Sequence, residues 1–433
     1  MMWITEMLIC FLSLFFFLFV DSLLFFLSMM MLYQLFISSN FFSFLFTEDW
    51  LSNIMMFMSM SIYLILFLIC SKKLMKLIII SMMITTSLFF MSGDLMLFFL
   101  MFEFSLIPMM MMMMFFGNQA ERLKSMYWML MYTLISSFPF FMVLMYMMNY
   151  FCIRWTGSMF LFSNFDLVME KNVFYFMMFI SFLVKIPSFF LHSWLPKAHV
   201  EASLEGSMLL AGLMLKMGGY GMLRFMLFFK KSFSSSFFAV LFIIFSLGTL
   251  ISSLMVISSD DMKVMVAYSS VSHMNFMLLG LNSMKLLSTK SVMIIMFSHS
   301  MTSCILFYLV TEVYSKIHSR SILIGKGMLT IFQSYFLLSF IAWAMNMSAP
   351  PSLSFIGELL SIICLFNYSF LVIFLVLFYV FINSFYSMMS FGLLNHSFYS
   401  LKFKSSFNWL FIQSSSFFSF LVISFFFFDM LLI

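Results

Sequence analysis

Leu95-Met-Leu-Phe-Phe-Leu-Met-Phe-Glu103-Phe-Ser-Leu-Ile-Pro108-Met-Met-Met-Met-Met-Met114-Phe-Phe116 lies between the polar breaks Gly93-Asp94 and Gly117 to Lys124, and Glu103 is its only ionisable residue. A run of this length has no polar face to turn toward water. It needs a lipid bilayer as its solvent, where roughly 20 apolar residues make one crossing. The rest of the chain repeats the pattern. Of 433 residues 64% are hydrophobic and 9% charged, and mean hydropathy is +1.13, whereas a soluble domain carries roughly 25% charged residues. Within hydrocarbon only α-helices and closed β-barrels satisfy every backbone N–H and C=O. Barrel strands would alternate polar with apolar residues, and this chain does not. The expected fold class is therefore all-α, a polytopic membrane protein.

Working outward, short polar breaks divide the chain into about fourteen apolar spans, taken as a single transmembrane domain over residues 1–433. The breaks include Asp21, Glu48-Asp49, Ser71 to Lys76, Arg154 to Lys171, Pro196 to Glu205, Lys230-Lys231, Asp260 to Lys263, Lys285 to Lys290, Lys316 to Lys326, Asn346 to Pro351 and Asn395 to Lys404. The Asn346 to Pro351 break is expected inside the membrane. Placing loops on alternate sides gives one face Lys72, Arg122, Lys197, Lys263, Arg320 and Lys404, and the other Arg154, Arg224, Lys230 and Lys285. The first set is the richer in basic residues and is expected on the inner, matrix face. The net charge of +5 thus reads as membrane topology and gives no sign of nucleic-acid binding.

Met1 to Val20 reads as a first span without the basic flank of a leader. Together with 53 Met and 68 Phe, which suggest an AT-rich organellar genome, this points to a protein made inside its organelle. Cys10, Cys70, Cys152, Cys304 and Cys364 are scattered, with no spacing for zinc or an iron–sulfur cluster. Gly218-Gly219-Tyr220-Gly221 and Gly325-Lys326-Gly327 fit neither a dinucleotide fingerprint nor a phosphate loop. No metal, flavin or other redox cofactor is expected on this chain.

Four ionisable residues stand deep inside apolar spans: Glu103, Lys185, Lys216 and Glu358. A charge at the bilayer centre costs about 2.5–3.5 kcal/mol even on lenient scales. Buried ion pairs gluing helices are one explanation, yet polar glue in membranes is mostly Ser, Thr or Asn. Residue type favours a proton path. Lysine on burial can move from ~10.4 towards ~5–6 and so release a proton inside a protein, which arginine cannot do. A neighbouring carboxylate opposes that release, so a changing Glu–Lys distance would act as a gate. Pro187 lies beside Lys185, and Pro350-Pro351 with Gly357 precede Glu358, which predicts two broken helices near these charges. Interrupted helices at mid-membrane are a transporter feature.

The stretch Lys185-Ile-Pro-Ser-Phe-Phe-Leu-His192-Ser-Trp194-Leu-Pro196-Lys-Ala-His199-Val-Glu201-Ala, followed by Gly206-Ser207-Met208-Leu-Leu-Ala211-Gly212 and Leu215-Lys216-Met-Gly-Gly-Tyr220-Gly221, closely resembles the signature of the proton-pumping, antiporter-like subunits of respiratory complex I, NADH:ubiquinone oxidoreductase. Glu103 to Pro108, Gly117 to Arg122, Ala267 to Met274, His299 to Ser303 and Pro350 to Glu358 agree with it in order. The resemblance covers roughly residues 90–360, and it implies an antiporter-like inverted-repeat fold. That segment would be the proton-translocating core, with residues 1–89 and 361–433 as peripheral helices.

It further implies that Glu103 and Lys185 form the gating pair, Lys216 the central relay and Glu358 the terminal group, in that order, with His273 and His299 joining the polar axis. Imidazoles both accept and donate protons. NADH, FMN, iron–sulfur clusters and ubiquinone would belong to other subunits. The expected partners are other membrane-arm subunits and lipid, and the expected location is the mitochondrial inner membrane, multi-pass. One departure is Glu201-Ala202-Ser203-Leu204-Glu205, where the family usually has a proline after Glu-Ala.

Other polar residues carry plainer expectations. His192 and His199 would hydrogen-bond at a helix end, and His318 and His396 would be solvated. Trp155, Trp194 and Trp343 would be interface or packing aromatics, and Asp260-Asp261-Met-Lys263 a solvated loop. A free-standing cation/proton antiporter would share much of the Lys185 to Gly221 signature. A scaffold that only holds pumping neighbours would tolerate loss of all four buried charges.

Overall fold

A computed structural model of the protein describes residues 49–117, 119–151, 171–229, 235–328, 333–350, 352–366 and 370–395. With no water to bond backbone groups, helices are the economical solution. Among the described residues the named regular elements are all helical, and Asp261 and Ser321 form an isolated bridge. In chain order they are α1 Trp50–Ile69, α2 Lys73–Met91, α3 Leu95–Phe104, α4 Leu106–Phe116, α5 Arg122–Phe151, α6 Lys171–Lys185, α7 Trp194–Glu201, α8 Leu204–Leu209, a π-turn Leu210–Met214, α9 Leu215–Phe229, α10 Ser235–Ile257, α11 Met262–Leu281, α12 Leu286–Ile317, α13 Gln333–Asn346, α14 Leu353–Leu365 and α15 Phe370–Asn395. The protein is an all-α polytopic membrane protein. Among the described residues eight stretches have the length and hydropathy to cross a membrane. The expected breaks at Asp21, Glu48, Arg154, Lys230-Lys231 and Lys402 to Lys404, together with Cys10, Cys152, Trp155 and His396, lie outside the described residues.

Helices end at two proline-bearing segments. The first is the C-terminal end of α6 at Lys185. Pro187 is the local cause: it lacks the N–H that would bond the Leu183 carbonyl. The backbone N–H and hydroxyl of Ser188 take that carbonyl instead, at 3.2 and 3.0 Å. The Trp194 indole donates to the Val184 carbonyl at 3.0 Å, and Asn275 donates to the Pro187 carbonyl at 3.1 Å. Trp194 is thus a staple across the break. The second interruption lies between α13 and α14. There Ser348 adopts φ 62°, the Ser354 hydroxyl bonds the Met345 carbonyl at 2.7 Å, and Ser352 caps Phe355.

The middle of the molecule is α12, buried from Ser291 to Val310 and packed against α11, α14, α13, α1 and the π-turn. At Gly357 helix α14 comes so close to α12 that an added Cβ would lie 2.7 Å from Ile295 Cγ1. Glycine permits that approach, and the next residue is Glu358. The outer helices turn apolar residues outward, among them Ile135, Phe138, Ile243, Phe374 and Phe381, as a lipid-facing surface requires. The breaks at 117–122, 196–205, 260–263 and 318–321 meet at one end of the bundle: Arg320 bonds Gln119 at 2.8 Å, and Lys263 bonds the Ala202 carbonyl at 3.0 Å.

Two expectations are corrected. Lys263 is only 7% exposed and bonds carbonyls at the end of α7, so it is no solvated loop residue. A lysine in the first turn of α11 is disfavoured by that helix's dipole, but the negative end of α7 compensates it. Arg224 is also buried. It pairs with Asp49 and donates from Nε to the Tyr220 hydroxyl at 2.8 Å, rather than marking a loop.

Candidate functional site

The π-turn decides where Lys216 points. Inserting one residue into the helix widens its turn and frees carbonyls, a feature often found at functional sites. Lys216 is fully buried, and its ammonium donates to the Ala211 carbonyl at 2.6 Å. Its second partner is His299 Nδ1, at 2.7 Å, from α12. Among the described residues no carboxylate pairs with Lys216.

From His299 the polar groups continue. Its ring centroid lies 5.7 Å from that of His273 on α11. His273 Nδ1 is 3.6 Å from Glu358 Oε1 and 3.3 Å from the Tyr379 hydroxyl of α15. Glu358 is held on α14, where its carbonyl accepts from the Ser361 hydroxyl at 2.7 Å. Four side chains from four helices thus form one buried polar file: Lys216, His299, His273 and Glu358. Their exposures do not exceed 5%. Two groups along it, His273 Nε2 and Glu358 Oε1, have no hydrogen-bond partner among protein atoms. Buried atoms of this kind are sites where bridging water is expected.

Glu103 lies near the end of α3 and Lys185 at the end of α6. Lys185, 2% exposed, donates to the Phe102 carbonyl at 2.5 Å and to the Ser105 hydroxyl at 3.4 Å, and stands over the Phe102 ring at 3.2 Å. The cation therefore sits at the C-terminal turn of α3, where unpaired carbonyls carry the negative end of the helix dipole. Glu103 is half-buried, senses the Lys185 charge and has Ser137 of α5 beside it, but makes no direct ion pair with Lys185. The break between α3 and α4 at Ser105 supplies Lys185's partner more directly than the carboxylate does. Lys185 in turn lies against α9 near Gly218, two positions beyond Lys216.

The remaining histidines separate. His192 stacks on Phe189, ring centroids 5.4 Å apart. His318 is an exposed C-cap of α12 in the left-handed region, φ 57°. His199 does not cap a helix end: it is fully buried, stacked on Phe307 at 4.5 Å, and neither ring nitrogen has a hydrogen-bond partner among protein atoms. Trp343 is buried, a packing residue. Sequence reasoning missed Tyr379, Ser105 and the buried role of Lys263. A hydroxyl among apolar residues and a lysine at a helix N-terminus were the only available signals, and both are common. Among the described residues no group of three His, Cys, Asp or Glu side chains gathers in metal-binding fashion.

The sequence pattern of the NADH:quinone oxidoreductase/Mrp antiporter transmembrane family matches residues 92–387. Among relatives, NADH-ubiquinone oxidoreductase chain 4 of Rhipicephalus sanguineus is 38% identical over 281 residues, which is 65% of this chain and 63% of that protein's length. The protein of the same name from Mytilus edulis is 39% identical over 247 residues, 57% of this chain and 55% of the relative. The chain thus spans less than two thirds of these relatives. Among solved structures, a chain of respiratory complex I from Thermus thermophilus with bound NADH superposes with TM-score 0.79 at 20% identity, covering 87% of this chain and 81% of that one. A chain of the Mrp complex from Dietzia sp. gives TM-score 0.76 at 15% identity, covering 84% and 69%. These structures share the fold.

Proposed function

The chain belongs to the NADH:quinone oxidoreductase/Mrp antiporter family, and from that premise we infer that it is a proton-pumping membrane-arm subunit of NADH:ubiquinone oxidoreductase in the mitochondrial inner membrane. Electron transfer in partner chains, which hold NADH, FMN, iron–sulfur clusters and ubiquinone, drives protons through this one. Residues 90–360 form the translocating core, and the flanking helices meet lipid and neighbouring subunits.

The observation that carries this reading is the buried file from Lys216 through His299 and His273 to Glu358. Protons do not cross dry hydrocarbon, and a file of lysine, two imidazoles and a carboxylate offers alternating donors and acceptors. The Lys216–His299 contact at 2.7 Å is within direct transfer distance. The His273–Glu358 separation of 3.6 Å needs one water or a small shift of either side chain. Glu103 and Lys185 form the gate at the other end. Because Lys185 rests on a helix-end carbonyl, movement of α3 relative to α6 changes how strongly its proton is held.

Lys216→Arg and Lys216→Met test this in the assembled complex reconstituted in vesicles. Arginine keeps the charge but does not release a proton, and methionine removes a buried charge without leaving a carboxylate unpaired. Both variants assemble and oxidise NADH yet lose proton translocation through this subunit. Normal pumping by both refutes the assignment.

Membership of a family named for both NADH:quinone oxidoreductase and Mrp antiporter supports a second reading, a cation/proton antiporter. Purification of the native protein separates the two. A complex I subunit comes with NADH-oxidising partners, and an antiporter does not.

A further inference from the structure

We propose that Arg224 is an electrostatic seal: its fixed charge keeps protons held at Lys216 from escaping along α9 to the end of the bundle opposite the loops. The proposal rests on the reading, given above, that Lys216 takes up and releases protons.

Lys216, Tyr220 and Arg224 recur every four residues of α9, so they form one row along that helix. Eight residues separate the ends of the row, about 12 Å at ~1.5 Å per residue. The row runs away from the loop-rich end. Helix α1 gives the direction, because the Cys70 thiol at its C-terminal end meets Glu205 at 3.8 Å, whereas Asp49 at its N-terminal end pairs with Arg224. The 20 residues of α1 put about 30 Å between those two contacts. A polar row that starts at a buried lysine and ends at a half-exposed carboxylate has the layout of a proton exit.

Its bonding makes it a stop. The Tyr220 hydroxyl donates to the Phe90 carbonyl at 3.0 Å and accepts from Arg224 Nε at 2.8 Å. Its proton is thus committed to an amide oxygen, and its oxygen is already occupied by a donor. The next member of the row is a guanidinium, which does not release its protons. Phe89 and Phe90 meet the Tyr220 ring edge-on, with centroids 5.8 and 5.3 Å away, and enclose the row in apolar surroundings. A charge acts far more strongly there than in water.

The placement of the charges goes beyond a clamp between helices. The Arg224 side chain is 11% exposed and that of Asp49 46%, so the positive member lies inside while the negative one is partly screened at the rim. Arg224 Nη2 is buried and has no hydrogen-bond partner among the described residues. Holding α9 to α1 requires neither feature, since neutral side chains of similar volume join helices without the desolvation cost. A fixed cation between Lys216 and the rim does what neutral packing does not: it repels any proton that leaves Lys216 in this direction.

The test is the passive proton conductance of vesicles that contain the assembled complex, without NADH and under an imposed membrane potential. Arg224→Gln keeps an amide beside Tyr220 and Asp49 but removes the charge, and Arg224→Lys keeps the charge. Arg224→Gln is expected to raise the conductance on the order of 10-fold, the factor that a unit charge about 12 Å away exerts at an effective dielectric of ~20. Arg224→Lys is expected to leave it at the wild-type value, and adding Lys216→Met to Arg224→Gln to bring it back there. An unchanged conductance in Arg224→Gln overturns the seal. An equal rise in Arg224→Lys overturns it too, because damaged packing rather than lost charge then opens the path. A rise that persists with Lys216→Met overturns the link to Lys216. The relay itself is judged by the pumping of Lys216→Met alone, so the seal can fail while the relay stands. Should Arg224→Gln fail to assemble, the double variant Asp49→Asn with Arg224→Gln, which leaves neither charge unpaired, replaces it under the same criteria.

Discussion

Substituting Gly218 by alanine drives a methyl group into the break beside Lys185. A Cβ at Gly218 would lie 2.9 Å from Ile186 Cγ1, 3.1 Å from the Ile186 backbone nitrogen and 3.1 Å from Lys185 Cβ. Carbon contacts settle at about 3.5–4.0 Å, so the two segments must separate by ~0.5–1 Å. A rotamer change frees Cγ1 but moves neither the backbone nitrogen nor Cβ. Helix α9 has little room to retreat, because a Cβ at the adjacent Gly219 would lie 2.5 Å from Met296 Sδ. The non-helical segment after Lys185 therefore gives way, shifting the ammonium off the Phe102 carbonyl. Such overpacking costs about 1–3 kcal/mol of stability, small enough for assembly to survive. Proton transfer is less forgiving, since its donor–acceptor window is only about 2.6–3.2 Å wide. A misplacement near 1 Å slows transfer through Lys185 by on the order of 10- to 100-fold. The assay is the proton-to-electron ratio of reconstituted complex carrying Gly218→Ala, with assembly followed by native electrophoresis. An assembled variant with an unchanged ratio refutes the reasoning that Lys185 must sit at its present distance from α9.

Arg224→Lys loses the Nε bond to Tyr220 while keeping the charge near Asp49, and should lower stability by about 1–3 kcal/mol, seen as a lower thermal midpoint of the assembled complex with an unchanged proton-to-electron ratio. Tyr379→Phe removes the hydroxyl 3.3 Å from His273 Nδ1. A bond of that kind contributes about 0.5–1.5 kcal/mol, so pumping at saturating NADH should slow by about 2- to 10-fold without loss of assembly. An unaltered rate would remove Tyr379 from the file.

Much of this protein is legible in its sequence. Hydrophobic runs uninterrupted by polar alternation require helices in lipid, and the charges at Lys185, Lys216 and Glu358 stand out because the bilayer makes each of them costly. Pro187 by itself forecasts the end of α6, since a missing N–H is a local covalent fact. Buried groups whose neighbours are polar in sequence were read less well. Lys263 follows two aspartates and looks solvated, and only the packing of α11 against α7 encloses it. Arg224 likewise reads as a topological charge until Asp49, far away in the chain, comes to meet it.

What the sequence determined by itself is fold class and the presence of ionisable groups within apolar stretches, because hydropathy acts within a few residues. What only the tertiary structure decided is the wiring. Lys216 finds His299, His273 finds Glu358, and Lys185 finds the end of α3 rather than Glu103 as its direct partner. Those meetings depend on how far one helix slides along another, on the π-turn before Lys216 and on the close approach at Gly357. A shift of one residue would change every contact in the file while leaving the hydropathy of each span intact.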